Sequence, residues 1–393
     1  MIADMDSTSP HRLHALDNLR ALMMWLGIVL HVALIYTIEP TPLPWRDPQR
    51  TVVADIVTAV IHTFRMPAFF ILAGFFVMML LQTRGAKGMA EHRLLRLGAP
   101  FVVFWLPVSM VSGLLAALYT HRMAHGTWGI DISLVNPPPG VPRGPNTLHL
   151  WFLWMLLWFS LATAALARFE GLHPQFTAAG AFLRRMAGAW WGLLVLALPM
   201  AAADWPYPRG LLIASGLFLP PFSEWLHNGI FFVFGLALYC ERCELFARWE
   251  RHWWVFAVAG LAAFLTTGAL IQRQAQPSDI AYVLGCASWL WSFAAIGLAL
   301  RFMATRNRVL AYMADSSYWV YLVHLPCTIG FGLLLYGAPL PALLKIALNI
   351  AATTAVCLAT YELWVRTTWV GQLLNGKRMP RRSRPVPPAA TAN

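Results

Sequence analysis

The sequence predicts an all-α, polytopic membrane protein of about ten transmembrane helices, with both termini in the cytoplasm. Three observations carry this. Of 393 residues, 59% are hydrophobic and only 12% charged, a balance foreign to soluble domains of this length. Apolar stretches long enough to cross about 30 Å of hydrocarbon recur along the chain, with short polar loops between them. Lys and Arg concentrate on alternate loops, as cytoplasmic loops require: one side holds Arg84, Lys87, Arg93, Arg96, Arg242, Arg248 and the tail cluster, the other only Arg46, Arg50, Arg122, Arg143, Arg209 and Arg273.

The first span, 16–38, begins beside Asp17 and Arg20 and has no small-residue cleavage site after it, so it reads as a retained helix rather than a signal peptide. The second, 52–81, carries Pro67 and Gly74, which permit a kink and a close helix contact. Further apolar stretches at 97–120, 148–167, 187–203, 225–240, 253–271, 280–303, 309–336 and 339–365 complete the ten. The segment Gly210 to Leu219, followed by Pro220 and Pro221, is too short to span and reads as re-entrant or interfacial. Between the third and fourth spans, NPPPGVPRGP favours extended or turn backbone and is placed to cap an external opening. The chain therefore divides into a cytoplasmic segment, 1–15, a transmembrane domain, 16–366, and a basic, proline-rich tail, 367–393, expected to be disordered and suited to anionic membrane lipid.

A formal net charge of +12 raises nucleic acid as a partner, but the cations are scattered through loops and form no aromatic-interleaved stripe, so none is expected. The five cysteines fall in or beside apolar spans and imply no disulfide framework. Cys240 and Cys243 form a C-x-x-C without a second ligand pair, so no metal site is expected.

Ionisable side chains inside spans are costly and mark function. Here they are Arg20, His31, His62, Arg65 and His324, with Asp17, Asp55, Glu224, Lys345 and Glu362 more peripheral. Arg20 and His31 are eleven positions apart, close to three turns, so both leave one helix face roughly 16 Å apart. His62 and Arg65 are three apart, and Ser317, Tyr321 and His324 form a polar stripe that Tyr318 adjoins. Arg93 and Arg96 share a face at the cytoplasmic end of the third span. Two guanidinium forks suit a phosphate polyanion, although positive-inside topology alone explains them too. Glu362 and Arg366 are spaced for a local ion pair. His31 suits a buried hydrogen-bonding role, a proton relay or a catalytic base. His92 and His252, in basic segments, read as solvated surface residues.

LDNLRALMMWLGIVLH, with its Arg20-x10-His31, then FRMPAFFILAGFF, HRLLRLGAP, LHLWFLW and SSYWVYLVHLP occur in that order. Together they resemble the acyltransferase-3 family of membrane O-acyltransferases, over residues 16 to about 365. The HTFRMP form at 62–67 looks most like members assigned to succinylation of periplasmic glucans. The resemblance implies a multi-pass protein of the cell inner membrane with acyl-coenzyme A as donor substrate, no permanently bound cofactor, and a hydroxyl of an extracytoplasmic carbohydrate as acceptor. It implies that Arg20 and His31 are functional, with His31 the base, and that Arg93 and Arg96 serve donor binding. Tyr321 or His324 would orient His31, and Arg65 or His62 would stabilise the oxyanion. Direct transfer and an acyl-histidine intermediate are equally allowed. A transporter or flippase would use the same buried residues without transfer chemistry, but the halves show no inverted repeat. A structural subunit leaves the alignment of Arg20 with His31 unexplained. The acyl group, the acceptor and the oligomeric state are not legible.

Overall fold

The computed structural model describes residues 10–376, apart from 42, 136–145, 170–172, 190, 241 and 306. The helices are α1 Pro10–Ala33, α2 Val52–Arg93, α3 Ala99–His125, α4 Trp151–Leu166, α5 His173–Gly188, α6 Gly192–Asp204, α7 Phe222–Cys240, α8 Arg242–Gln272, α9 Pro277–Phe302, α10 Arg308–Leu335, α11 Ala342–Thr360 and α12 Trp369–Asn375. Among the described residues, β pairing is limited to one bridge between Asn146 and Leu217. Hydrocarbon offers a backbone no water to bond, and helices satisfy their own amides.

Seven helical stretches among the described residues are long and apolar enough to cross a membrane. Two of the ten expected spans, 52–81 and 97–120, lie together in one of them, Val52–His125, of 74 residues. At 1.5 Å per residue that is roughly 110 Å, far more than one hydrocarbon thickness. Its path breaks at Gly85, where φ is 69°. The expected span at 187–203 corresponds to α6, only 13 residues long, and that at 225–240 to α7, whose first two turns carry Ser223, Glu224, His227 and Asn228.

α1 packs against α2, α9, α10 and α11. The close contact expected at Gly74 is made to α7. A Cβ on Gly74 would lie 2.0 Å from the Phe232 carbonyl oxygen, and one on Gly235 2.0 Å from that of Ile71. No side chain fits on either glycine, so the two backbones touch. α7, α8 and α9 share an aromatic core in which Trp249 stacks on Phe293, centroids 4.5 Å apart and planes 13° from parallel, beside Phe234 and Trp289.

Residues 211–216 carry no regular structure and lie against the start of α4. The Gly216 carbonyl accepts from Thr147 N at 2.7 Å and Thr147 Oγ1 at 2.8 Å, Asn146 Nδ2 donates to the Ser215 carbonyl, and Ser215 N donates to Glu224 Oε1. Gly216, at φ 68°, has no room for a Cβ beside Asn146. The NPPPGVPRGP loop, residues 1–9 and residues 377–393 lie outside the described residues.

Residues 369–375, which the sequence places in the tail, form α12. Thr368 Oγ1 caps it by accepting from Val370 N, Gly376 at φ 80° ends it, and Arg96 Nη1 donates to the carbonyls of Gln372 and Leu373 at 3.1 and 2.8 Å. A seven-residue helix is marginal alone. These tertiary contacts, with Leu374 buried, are what the sequence pattern did not display. At the other chain end, α1 already includes residues 10–15. The expected Glu362–Arg366 pair is present at 2.7 Å.

Lys345 and Asp47 are wholly buried, with Nζ 2.9 Å from each carboxylate oxygen. This pair ties α11 to the loop after α1. Asp47→Ala strands a buried cation and should cost about 3–5 kcal/mol. Thermal unfolding in detergent should show a large drop for Asp47→Ala and substantial recovery for Asp47→Ala/Lys345→Met; a full-stability single variant would show that the pair does not anchor the loop.

Candidate active site

Two hollows lie along the α1 face that carries Arg20 and His31. The larger, about 780 Å³, is lined by Arg20, His92, Arg93, Arg96, Ser317 and Tyr318 among others. The smaller, about 30 Å³, is walled by His31, Arg65, His149, Tyr321 and His324 with Met66, Phe69, Trp151 and Phe152. The helix geometry explains the pairing. A stripe on α10 places Ser317 and Tyr318 in the first hollow and Tyr321 and His324 in the second, while α1 brings Arg20 to one and His31 to the other.

In the large cavity Arg20 pairs with Asp17 at 3.1 Å, both about 44% exposed, and its guanidinium lies over Phe76. That leaves it accessible to a ligand. Arg93 is deeper: its Nε and Nη2 are buried and have no hydrogen-bond partner among the described residues. Unmatched guanidinium donors are strong anion receptors. Arg96 divides its role, since one nitrogen holds α12 while the residue still lines the cavity, and its carbonyl accepts from the Tyr318 hydroxyl at 2.7 Å. His92, expected on the surface, instead lines this cavity, with Nδ1 buried and unpartnered. The side chain follows the α2 turn that delivers Arg93 and Arg96 rather than the solvent.

The small chamber gathers three imidazoles. Ring centroids are 5.2 Å apart for His31 and His324, 6.3 Å for His31 and His149, and 5.0 Å for His149 and His324. His149 is the member that sequence reasoning missed. It enters from a 3₁₀ turn at Leu148–Leu150, where Leu148 holds φ at 52°, a strained conformation for leucine fixed by Leu148 N donating to Asn146 Oδ1 at 2.6 Å.

Backbone carbonyls set the tautomers. Pro326 has no N–H, so the Leu322 carbonyl four residues earlier has no helical donor. His149 Nε2 donates to that carbonyl at 3.2 Å and to Tyr321 O at 3.0 Å. His324 Nδ1 donates to Val320 O and Tyr321 O at 3.0 and 2.8 Å. Because carbonyls only accept, His149 Nδ1 and His324 Nε2 are left as acceptors, and both are buried without a partner among the described residues, as is His31 Nδ1. The Tyr321 hydroxyl donates to the His149 carbonyl at 2.7 Å and so braces His149 rather than orienting His31, as the sequence reading has it.

Arg65 supplies the charge. Only 7% exposed, it donates from Nε to the Met23 carbonyl at 2.6 Å, and among the described residues no carboxylate pairs with it. Gly27 makes room: a Cβ there would lie 2.8 Å from Arg65 Nη2 and 3.1 Å from His324 Nε2. His62, one turn earlier on α2, is exposed and lines neither hollow. Among the described residues no three His, Cys, Asp or Glu side chains group as metal ligands.

Such a chamber sets imidazole nitrogens beside a guanidinium that has no carboxylate partner among the described residues, an arrangement suited to proton removal from a hydroxyl and charge development on a carbonyl oxygen. Glucans biosynthesis protein C of Salmonella paratyphi A is 25% identical over 95% of this chain and 97% of its own, and that of Salmonella agona matches to the same extent. The Escherichia coli O139:H28 protein of that name is 22% identical over 98% of this chain and 100% of its own. No solved structure matches. The acyltransferase-3 profile, described as an acyltransferase domain, covers residues 13–362, and the chain, a multi-pass O-acyltransferase, belongs to that family.

Proposed function

We propose that the protein transfers an acyl group, succinyl or acetyl, from cytoplasmic acyl-coenzyme A to a hydroxyl of an extracytoplasmic carbohydrate such as a periplasmic glucan. In this reading about ten helices cross the inner membrane and both termini are cytoplasmic. The carrying observation is the order of the two hollows: a roomy cavity bearing Arg20 and Arg93, then a tight chamber bearing His31 and Arg65. The large volume falls in the range of small-molecule sites, and its arginines suit the phosphates of the donor. The names of the similar proteins supply the glucan as acceptor class.

The acceptor hydroxyl gives its proton to His31, and its oxygen forms a bond to the thioester carbon. Negative charge then sits on the carbonyl oxygen, where the Arg65 guanidinium opposes it. The carbon–sulfur bond breaks, and the thiolate takes the proton held by the imidazole. His149 and His324, with fixed tautomers, accept hydrogen bonds from the acceptor hydroxyls and hold the sugar. The coenzyme remains on the cytoplasmic side.

The test is thioester loss from acetyl- and succinyl-coenzyme A by purified protein in nanodiscs with a glucan acceptor. His31→Ala should lower acceptor-dependent turnover at least 100-fold, the lower bound for a general base; a folded variant near wild-type rate would remove His31 from the chemistry. Arg93→Ala should weaken donor binding roughly tenfold with little change in the maximal rate, as expected for a lost charge-assisted contact, and unchanged donor affinity would place the phosphates elsewhere. Arg65→Ala should depress succinyl transfer more than acetyl transfer, because the one cation in the chamber also meets the distal carboxylate. Equal losses would confine Arg65 to the oxyanion.

A further inference from the structure

Among the described residues, Phe69 and Phe152 are the two that line both hollows. Their rings meet edge to face with centroids 4.4 Å apart, and each residue is 3% exposed. Phe69 lies four residues after Arg65 on α2, and Phe152 three residues after His149 at the start of α4. Each helix that brings a polar group to the chamber therefore also brings half of the wall that closes it. Phe70 and Tyr321 stand behind Phe152, with centroids 5.1 and 6.2 Å away. On the large-cavity side, Ala73 and Leu156, one turn beyond each phenylalanine, continue as apolar lining.

The chamber's volume, about 30 Å³, has room for a few waters at most and not for an acyl thioester. A thioester arriving from the large cavity meets these two rings, which line both hollows, before it meets His31. We propose that Phe69 and Phe152 form the specificity-determining constriction of the donor route: they part far enough for a short acyl group on its thioester arm, reject longer chains, and keep water of the large cavity out of the histidine chamber. This rests on reading the large cavity as the acyl-coenzyme A site. The rings are apolar and suit selection by size, since an aromatic wall yields by rotation rather than by exchanging hydrogen bonds.

The test uses full-length protein in nanodiscs, as wild type, Phe69→Ala, Phe152→Ala and Phe152→Leu, with acetyl-, butyryl- and hexanoyl-coenzyme A, with and without glucan. Each alanine variant should raise the ratio of hexanoyl to acetyl kcat/KM at least tenfold and raise acceptor-independent thioester hydrolysis, with Phe152→Leu between them and the wild type. Alanine variants that turn over acetyl-coenzyme A with the wild-type ratio would overturn the constriction and leave the donor reading intact. Folded variants inactive with every donor would also overturn it, because the rings would then serve the reaction rather than the choice of chain. A wild-type protein that consumes no acyl-coenzyme A would overturn the donor reading itself, and the constriction with it.

Discussion

The Arg65 guanidinium, buried within a span and matched by a backbone carbonyl instead of a carboxylate, is the constraint around which the centre of the bundle is arranged. An isolated charge in a low-dielectric interior is costly. It is tolerated when dipoles and hydrogen bonds are fixed around it, and here Met23 offers a carbonyl, Gly27 gives up a side chain, and three imidazoles surround the same chamber. In the proposed reaction a neighbouring carboxylate would remove that cost but leave the guanidinium little field for a developing oxyanion.

The helix interior solves the orientation problem with a proline. An imidazole has two nitrogens, and one that is to accept a hydrogen bond is fixed as an acceptor when the other is committed elsewhere. In the chamber that partner is backbone: the carbonyls of residues 320–322 take the N–H of both His149 and His324. Ordinarily those carbonyls face their own helix. Pro326 leaves one of them open, so a break in a helical ladder becomes a holder for a side chain from another helix, and the strained turn at Leu148 aims that side chain. Tyr321 closes the arrangement by bonding back to the His149 carbonyl.

Much of this was legible in the sequence because helix phase is a local property. Eleven positions from Arg20 to His31, and four then three along Ser317, Tyr321 and His324, fix shared faces whatever packs against them, and the structure puts these residues on the walls of two neighbouring hollows. The hidden part depends on contacts distant in sequence. His149 sits in an aromatic run with no periodicity, and its partners are 172 and 173 residues away; the signal that was present was Pro326 two residues after His324. The second role of Arg96 depends on α12, which that contact and others distant in sequence hold in place. Whether His62 or Arg65 turns inward is decided by the rotation of α2 against α1, and an i, i+3 pair alone leaves that open.

The contrast between Lys345 and Arg65 separates two uses of buried charge. Lys345 finds both oxygens of Asp47 at 2.9 Å with neither residue exposed, and nothing in that pair is left for a ligand to satisfy. Arg65 is buried and Arg93 half-buried, yet among the described residues Arg65 lacks a carboxylate and Arg93 keeps two buried nitrogens without a partner. Unmatched donors in a dry interior are a standing penalty on the empty protein. Selection for stability alone would replace them with apolar side chains of similar volume. Hollows of suitable size lie beside both, which fits the proposed function, in which a transient negative charge completes each site: phosphate at Arg93, and at Arg65 the oxygen on which charge appears as the acyl group changes hands.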